Sequence, residues 1–316
     1  NGDIVVSNAS GNMTVSQNVT ASGTGTITLT VEGDNNTFIH TGGAIDDADT
    51  FIIIQADRID LQGGTIGSSN ESVWLMPFNA GETITLGVAT DTDFSLSNTE
   101  LDTINVLGGS GLLNIGNTDS GDITVGGNID VTGDANILHL RTAGNITSNL
   151  GIITANDLAL SSTGTGDIDV YTIVATVAAE TNDGNITIGQ QGSNNLIVGT
   201  VHGVVGINAG GSDVVVTTID GNITINSNIY AAGTGTITIT SGDSDYSDGV
   251  AASQIINNAI IQTNDGNITL AGDQMTLDGA LSSAIIAGGT HTVTLKQYVD
   301  TGTGAGTILI DLGGAD

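Results

Sequence analysis

The densest set of hard oxygen ligands in the chain is the loop Asp243-Ser244-Asp245-Tyr246-Ser247-Asp248-Gly249, which packs three carboxylates and a glycine together. Oxygen donors at alternate positions suit calcium, although the spacing is not that of an EF-hand. Asp243, Asp245 and Asp248 are therefore candidate calcium ligands, with a solvated turn as the competing reading. Calcium is the only cofactor these residue types admit. Asp46, Asp47 and Asp49 form a weaker candidate of the same kind.

Catalytic chemistry finds less support. A polysaccharide lyase needs a base to take a proton and cations to hold the developing enolate. The chain has three cations, Arg58, Arg141 and Lys296, far apart in sequence and in unrelated phrases. A hydrolase needs two carboxylates facing a cleft. With 29 aspartates some pair always falls at a suitable distance, so that signal has almost no specificity. His40, His139, His202 and His291 lack metal-ligand spacing and are expected at the surface or at corners. No GxSxG, HExxH or P-loop phrase occurs, and there is no cysteine for a disulfide or a thiolate. The expectation is a protein that is not an enzyme.

The elements that would position these residues follow from composition. Of the 34 acids only five are Glu, namely Glu32, Glu71, Glu82, Glu100 and Glu180. Aspartate favours turns and disfavours helix interiors, so acids in turns between β-branched runs describe strand and tight turn in alternation. A net charge of −31 repels phosphate backbones and anionic lipid, which excludes nucleic acid as a partner. No run of 18 apolar residues exists, so membrane insertion through a helix is not expected either.

A short phrase recurs along the chain: a turn with Gly and Asn or Asp, then alternating Ile or Val with Thr. It stands as NGDIVV at Asn1, SGDITV at Ser120, TGDIDV at Thr165, NDGNITI at Asn182, DGNITI at Asp220 and NDGNITL at Asn264. From Gly121 the anchoring glycines fall at 144, 166, 184, 203 and 221, spacings of 23, 22, 18, 19 and 18. Such a period is one turn of a solenoid. In Thr26-Ile27-Thr28-Leu29-Thr30 the Ile and Leu point one way and the threonines the other. One strand cannot bury that apolar row alone, whereas stacked rungs bury it and pair every backbone group. The expected fold is all-β, a parallel β-helix with rungs of about 18–23 residues running continuously through residues 1–316. Some 15 rungs at about 4.8 Å each would extend it on the order of 70 Å. Ser97 with Glu100 three residues on reads as a capping box, so one short helical turn is expected near 97–103. Trp74, Met76, Pro77 and Phe78 form the one bulky cluster, suited to plugging an irregular rung or covering a face. The Asn-x-Thr sequons at Asn145, Asn185, Asn222 and Asn267 arise from the rung phrase itself.

A longer repeat lies beneath the short one. GNMTVSQNVTASGTGTITLT from Gly11 aligns with GNITINSNIYAAGTGTITIT from Gly221 at an offset of 210, and ADRIDLQGGTI from Ala56 resembles GDQMTLDGAL from Gly272. Residues 1–90 thus resemble 215–316, with a different stretch, 91–214, between them. The phrases ITVGGNIDVTGDANILHLRTAGNIT, SLSNTELDTINV and LIVGTVHGVVGINAGGSDVVVTT resemble the repeats of filamentous-haemagglutinin-like β-strand-repeat proteins. Bacteria export these large adhesins, often by two-partner secretion. The resemblance implies a right-handed parallel β-helix, a secreted, cell-surface location and adhesive or scaffolding work.

Three functions follow as expectations. The first is a structural or adhesive element of a surface or filament-forming protein. The second is a module that binds surface carbohydrate or a host molecule, and the third a polysaccharide-active β-helix enzyme. An irregular, aromatic-lined groove would favour binding, converging Asp and Arg catalysis, and a uniform acidic surface structure. Asn1-Gly2-Asp3-Ile4-Val5 begins in the rung phrase and Thr307-Ile308-Leu309-Ile310-Asp311 runs as strand, with no capping phrase at either place. Both ends are therefore expected to be covered by more solenoid, from a longer chain or a head-to-tail neighbour.

Overall fold

The computed structural model describes residues 2–47, 50–90, 93–242, 253–277 and 284–297, with the backbone of 309–311. It contains two compact units, Asn1–Gly164 and Thr165–Asp316, and each is a parallel β-solenoid.

In the first unit the chain completes three regular rungs of three strands. These are Ile4–Asn8, Met13–Val15 and Val19–Thr20; Ile27–Val31, Thr37–His40 and Ala44–Asp46; and Phe51–Gln55, Arg58–Leu61 and Thr65–Ile66. Each strand stacks in parallel on its equivalent, Ile4 on Ile27 on Ile52, Met13 on Phe38 on Ile59, and Val19 on Ile45 on Ile66. The alternation of apolar and polar residues decides which side faces in. Ile27, Ile52, Val73, Leu113, Leu138 and Leu158 form one buried column, and Leu29, Ile54, Leu75, Ile115, Leu140 and Leu160 another. Each such side chain contributes about 1.5–3 kcal/mol of burial. Gly43 turns a corner at φ +84° with its Cα backed against Gln17 and Asn18, where any side chain would collide with backbone.

The rung after Ser72–Met76 breaks this order. Ile84–Leu86 pairs on one side with Ile123–Val125 and on the other with Phe94–Leu96, a strand that comes later in the chain. Phe94–Leu96 in turn packs against Arg58–Leu61. Phe94–Leu96 thus lies beneath a strand already laid. The helix Asn98–Leu101 follows with both halves of its capping box made, as the spacing of Ser97 and Glu100 predicts. Ile104 then bridges Ile66, and Leu112–Ile115 resumes on Ser72–Met76, so Leu113 stacks on Val73. Trp74, outward on that strand, meets Phe51 edge-on with ring centroids 6.3 Å apart, so these two rings pack on the outer face.

In the second unit one 14-residue strand, Ile168–Thr181, bends round a whole rung. Its parts pair with Ile186–Gln190, Leu196–Val198 and Ile207–Ala209. Above it run three inward columns: Ile186, Val214, Ile237, Ile268, Val293; Leu196, Ile223, Ile255, Met275; and Ile207, Ile229, Ile261, Ile285. Rung length is less regular than the glycine spacing predicts. From Asp167 to Asn185, equivalent corner positions, the separation is 18, but from Asn185 to Asp213 it is 28. The excess is an antiparallel hairpin, Thr200–Val201 with Val204–Val205, turned by His202 at φ +44° and Gly203 at φ +84°. Two positive φ values in a two-residue loop suit a type I′ turn. Gly203 therefore belongs to a hairpin and not to a rung corner.

A second, polar ladder runs along the corners. The Asn or Asp before a strand accepts, through Oδ1, a hydrogen bond from the backbone N–H at the equivalent place one rung on. Asn185 N donates to Asp167 at 2.7 Å, Asp213 N to Asn185 at 3.1 Å and Thr236 N to Asp213 at 2.7 Å. The long repeat is laid down in these same bonds. Asp3, Asn12 and Asn18 accept from Thr26, Thr37 and Ala44. Their counterparts in the second copy, Asp213, Asn222 and Asn228, accept from Thr236, Gln254 and Ile260.

Candidate functional site

The inserted strand leaves a cleft on the outside of the first unit. Strands Thr37–His40 and Arg58–Leu61 turn Phe38, His40, Ile59 and Leu61 inward, so Thr37, Ile39, Arg58 and Asp60 face out. Their register sets Thr37 beside Arg58 and Ile39 beside Asp60, a flat floor of four side chains. Ala89, Thr90, Ser95 and Glu100 wall a cleft of about 350 Å³ over that floor. The walls are fastened: Thr90 N donates to Ser95 Oγ and Ser95 Oγ to Thr90 O, both at 2.9 Å. Glu100 Oε1 accepts from Leu61 N at 3.1 Å while its Oε2 accepts from Ser97 N and Oγ. The helix thus ties the strand edge to its own cap.

A second cleft of about 320 Å³ shares Arg58 and is lined by Asp34, Asn35, Asp57, Asn79 and Glu82. Asn79 fixes it, donating from N and Nδ2 to the two oxygens of buried Asp57 and from Nδ2 to Asp34. Arg58 gives one hydrogen bond, Nη2 to Asn35 Oδ1 at 2.6 Å, and makes no ion pair among the described residues. Burial, then the charges of Asp57 and Asp93, push the Glu82 carboxyl above its ordinary value, and Arg58 pulls the other way. A carboxyl of raised proton affinity, fixed carboxylates and a guanidinium on one surface can take hydroxyl groups both as donors and as acceptors.

Asp243, Asp245 and Asp248 lie outside the described residues, as does Asp49. Among the described residues no group of three His, Cys, Asp or Glu is arranged to hold a metal. Asp47 is buried and spends its carboxylate on Thr50 N and Oγ1, both at 2.8 Å. Two of the four histidines, His40 and His139, depart from the surface expectation, while His202 and His291 are exposed. His40 is inward and fully buried, and burial lowers its pKa, against a smaller pull from the nearby Gly42 and Gly43 backbone. Neither of its ring nitrogens meets a partner in full hydrogen-bond geometry. His139 is buried with Nε2 3.0 Å from Ser161 Oγ, His202 sits exposed in the hairpin turn, and His291 pairs with Asp265 at 2.9 Å. His40 fell outside the expectation because it occupies the inward phase of Thr37–His40, which period-two counting from Phe38 would have found.

Asp34, Asp57, Glu82 and Asn79 carry no motif that marks them in the sequence, where Arg58 stands as an isolated cation. A signal was present: Arg58 stands where the second copy has Gln274, at the start of matching strands. The molecule is thus a parallel β-solenoid repeat protein with a polar outer cleft beside an inserted strand. Set against known protein families, curated proteins and solved structures, the chain matches none.

Proposed function

We propose that the chain is a structural and adhesive solenoid element of a large exported bacterial surface or filament-forming protein. The observation that carries this reading is the stacked parallel ladder itself, in which buried apolar columns and corner Asn and Asp hydrogen bonds run from rung to rung in both units. The filamentous-haemagglutinin-like phrases and the acidic exterior agree with a surface location. Immunogold labelling of producing cells with antibody to this chain tests the reading. Label on a surface filament or fringe is expected, and label confined to the cell interior would overturn it.

A second reading, polysaccharide cleavage, is favoured by the raised proton affinity of Glu82 beside Arg58, Asp34 and Asp57. It requires that the chain release reducing ends from a polysaccharide and that Glu82→Gln abolish the release. Equal release by both proteins removes it.

A further inference from the structure

We propose that the paired clefts around Arg58 bind a neutral oligosaccharide, with Arg58 and Asp60 holding its hydroxyl groups. The inference rests on reading the chain as a surface element, where glycans are what an open cleft meets. Shape supports it first. The two clefts, about 350 and 320 Å³, share Arg58, and the larger lies over a flat strand floor, which suits an extended ligand. Sites of this size are ordinary for small ligands, but their usual apolar lining is absent here. Ile39, Ile59 and Ala89 are the apolar residues of the larger cleft, and Asn12, Thr37, Asp60, Thr90, Ser95 and Glu100 surround Arg58 there.

The guanidinium is the second observation. Arg58 is one of three cations in the chain and shares its clefts with Asp34, Asp57, Asp60 and Glu82. Among the described residues none of those carboxylates is in ion-pair range, and Asn35 takes a single N–H. The neighbouring acids are held elsewhere, Asp57 and Asp34 by Asn79 and Asp60 by Gln62 at 2.7 Å. Nε is buried, so the outer, Nη end of the guanidinium is what remains for a ligand beside the fixed acceptors. Vicinal hydroxyls, each both donor and acceptor, match that pairing.

Charge selects the class of sugar. Three carboxylates around the smaller cleft and a net charge of −31 repel a uronate or sulfated chain. The floor is built on paired strands and the walls are tied by Ser95 and Glu100, so little ordering is left for binding to impose.

Titration calorimetry of the full chain with cellohexaose, maltohexaose, mannohexaose and chitohexaose, and with oligogalacturonate as the anionic probe, tests the proposal. At least one neutral probe is expected to bind, and Arg58→Gln and Asp60→Asn are each expected to weaken it about tenfold or more. Thermal melting of both variants checks that they fold, and Tyr230→Ala, in the other unit, is expected to leave binding unchanged. Absence of binding by every neutral probe at millimolar concentration, binding indifferent to both variants, or preference for oligogalacturonate overturns it. Immunogold labelling is independent of these outcomes. A chain that labels the surface and binds no glycan leaves the structural reading standing, and a glycan-binding chain inside the cell leaves the cleft standing alone.

Discussion

Asn185 does two jobs at its corner: it donates its own N–H to Asp167 and accepts the N–H of Asp213 through Oδ1. Its sequon neighbours are engaged in the same way, Asn222 accepting from Gln254 and Asn267 from Thr292. Asn185→Ala strands the Asp213 N–H and is expected to cost about 1–2 kcal/mol. Urea unfolding measures this, with Asn194→Ala, which loses one exposed bond at 3.4 Å, expected to cost under about 0.5 kcal/mol. Asp134 works against the fold. Burial, then the charges of Asp102 and Asp130, raises its pKa from 3.8 to about 6. A carboxyl with a raised folded-state pKa stabilises most below its unfolded value, and that stability is lost as pH rises through the folded value. The loss falls between about pH 4 and 6, and solvent screening of this half-buried group reduces it to about 1–2 kcal/mol. Asp134→Asn is therefore expected to raise stability at pH 7 by that amount and to change little at pH 4, in melts at both pH values. Glu71 has the same sign: it is fully buried, hydrogen-bonded to Asp46 and raised chiefly by burial.

Among the elements, the short helix Asn98–Leu101 is the one that holds the inserted strand in place. Glu100 caps the helix and satisfies Leu61 N at the edge of the neighbouring strand. Glu100→Ala is expected to cost about 1–3 kcal/mol and to speed proteolysis within residues 94–101, while Glu100→Gln, which keeps the Oε1 acceptor, is expected to lose less. Limited proteolysis with mass mapping reads both. The helix was legible because a capping box is local, three residues apart. The columns of Ile27 and Leu29 were legible for the same reason, since period two needs only the strand itself. The placing of Phe94–Leu96 beneath Ile84–Leu86 was not, because the choice of partner strand is made by long-range packing and leaves no local periodicity. The hairpin at His202-Gly203 was hidden differently, for its glycine falls at the spacing a rung would have. Arg58 and Glu82 were missed because their meeting depends on corner geometry between rungs, and acids in a chain this acidic carry no signal of their own.

For the whole molecule, charge sets the response to ions. A net −31 with one ion pair among the described residues, His291 with Asp265, leaves the acids mutually repelling. Sodium chloride is therefore expected to raise the thermal midpoint by screening. Calcium at millimolar concentration is expected to raise it further, through binding at Asp243, Asp245 and Asp248. Melting curves in EDTA, sodium chloride and calcium at matched ionic strength decide this. A calcium shift fully reproduced by sodium chloride leaves no specific site.

On the proposed reading, the stacked parallel rungs of this chain form part of a larger surface assembly. Electron microscopy of native material, with diffraction from aligned specimens, tests this most directly. Filaments or fringes containing this chain are expected, with a repeat of about 4.8 Å along the stacking axis. Discrete monomers at high concentration, in native material that shows neither filament nor fringe, would contradict it.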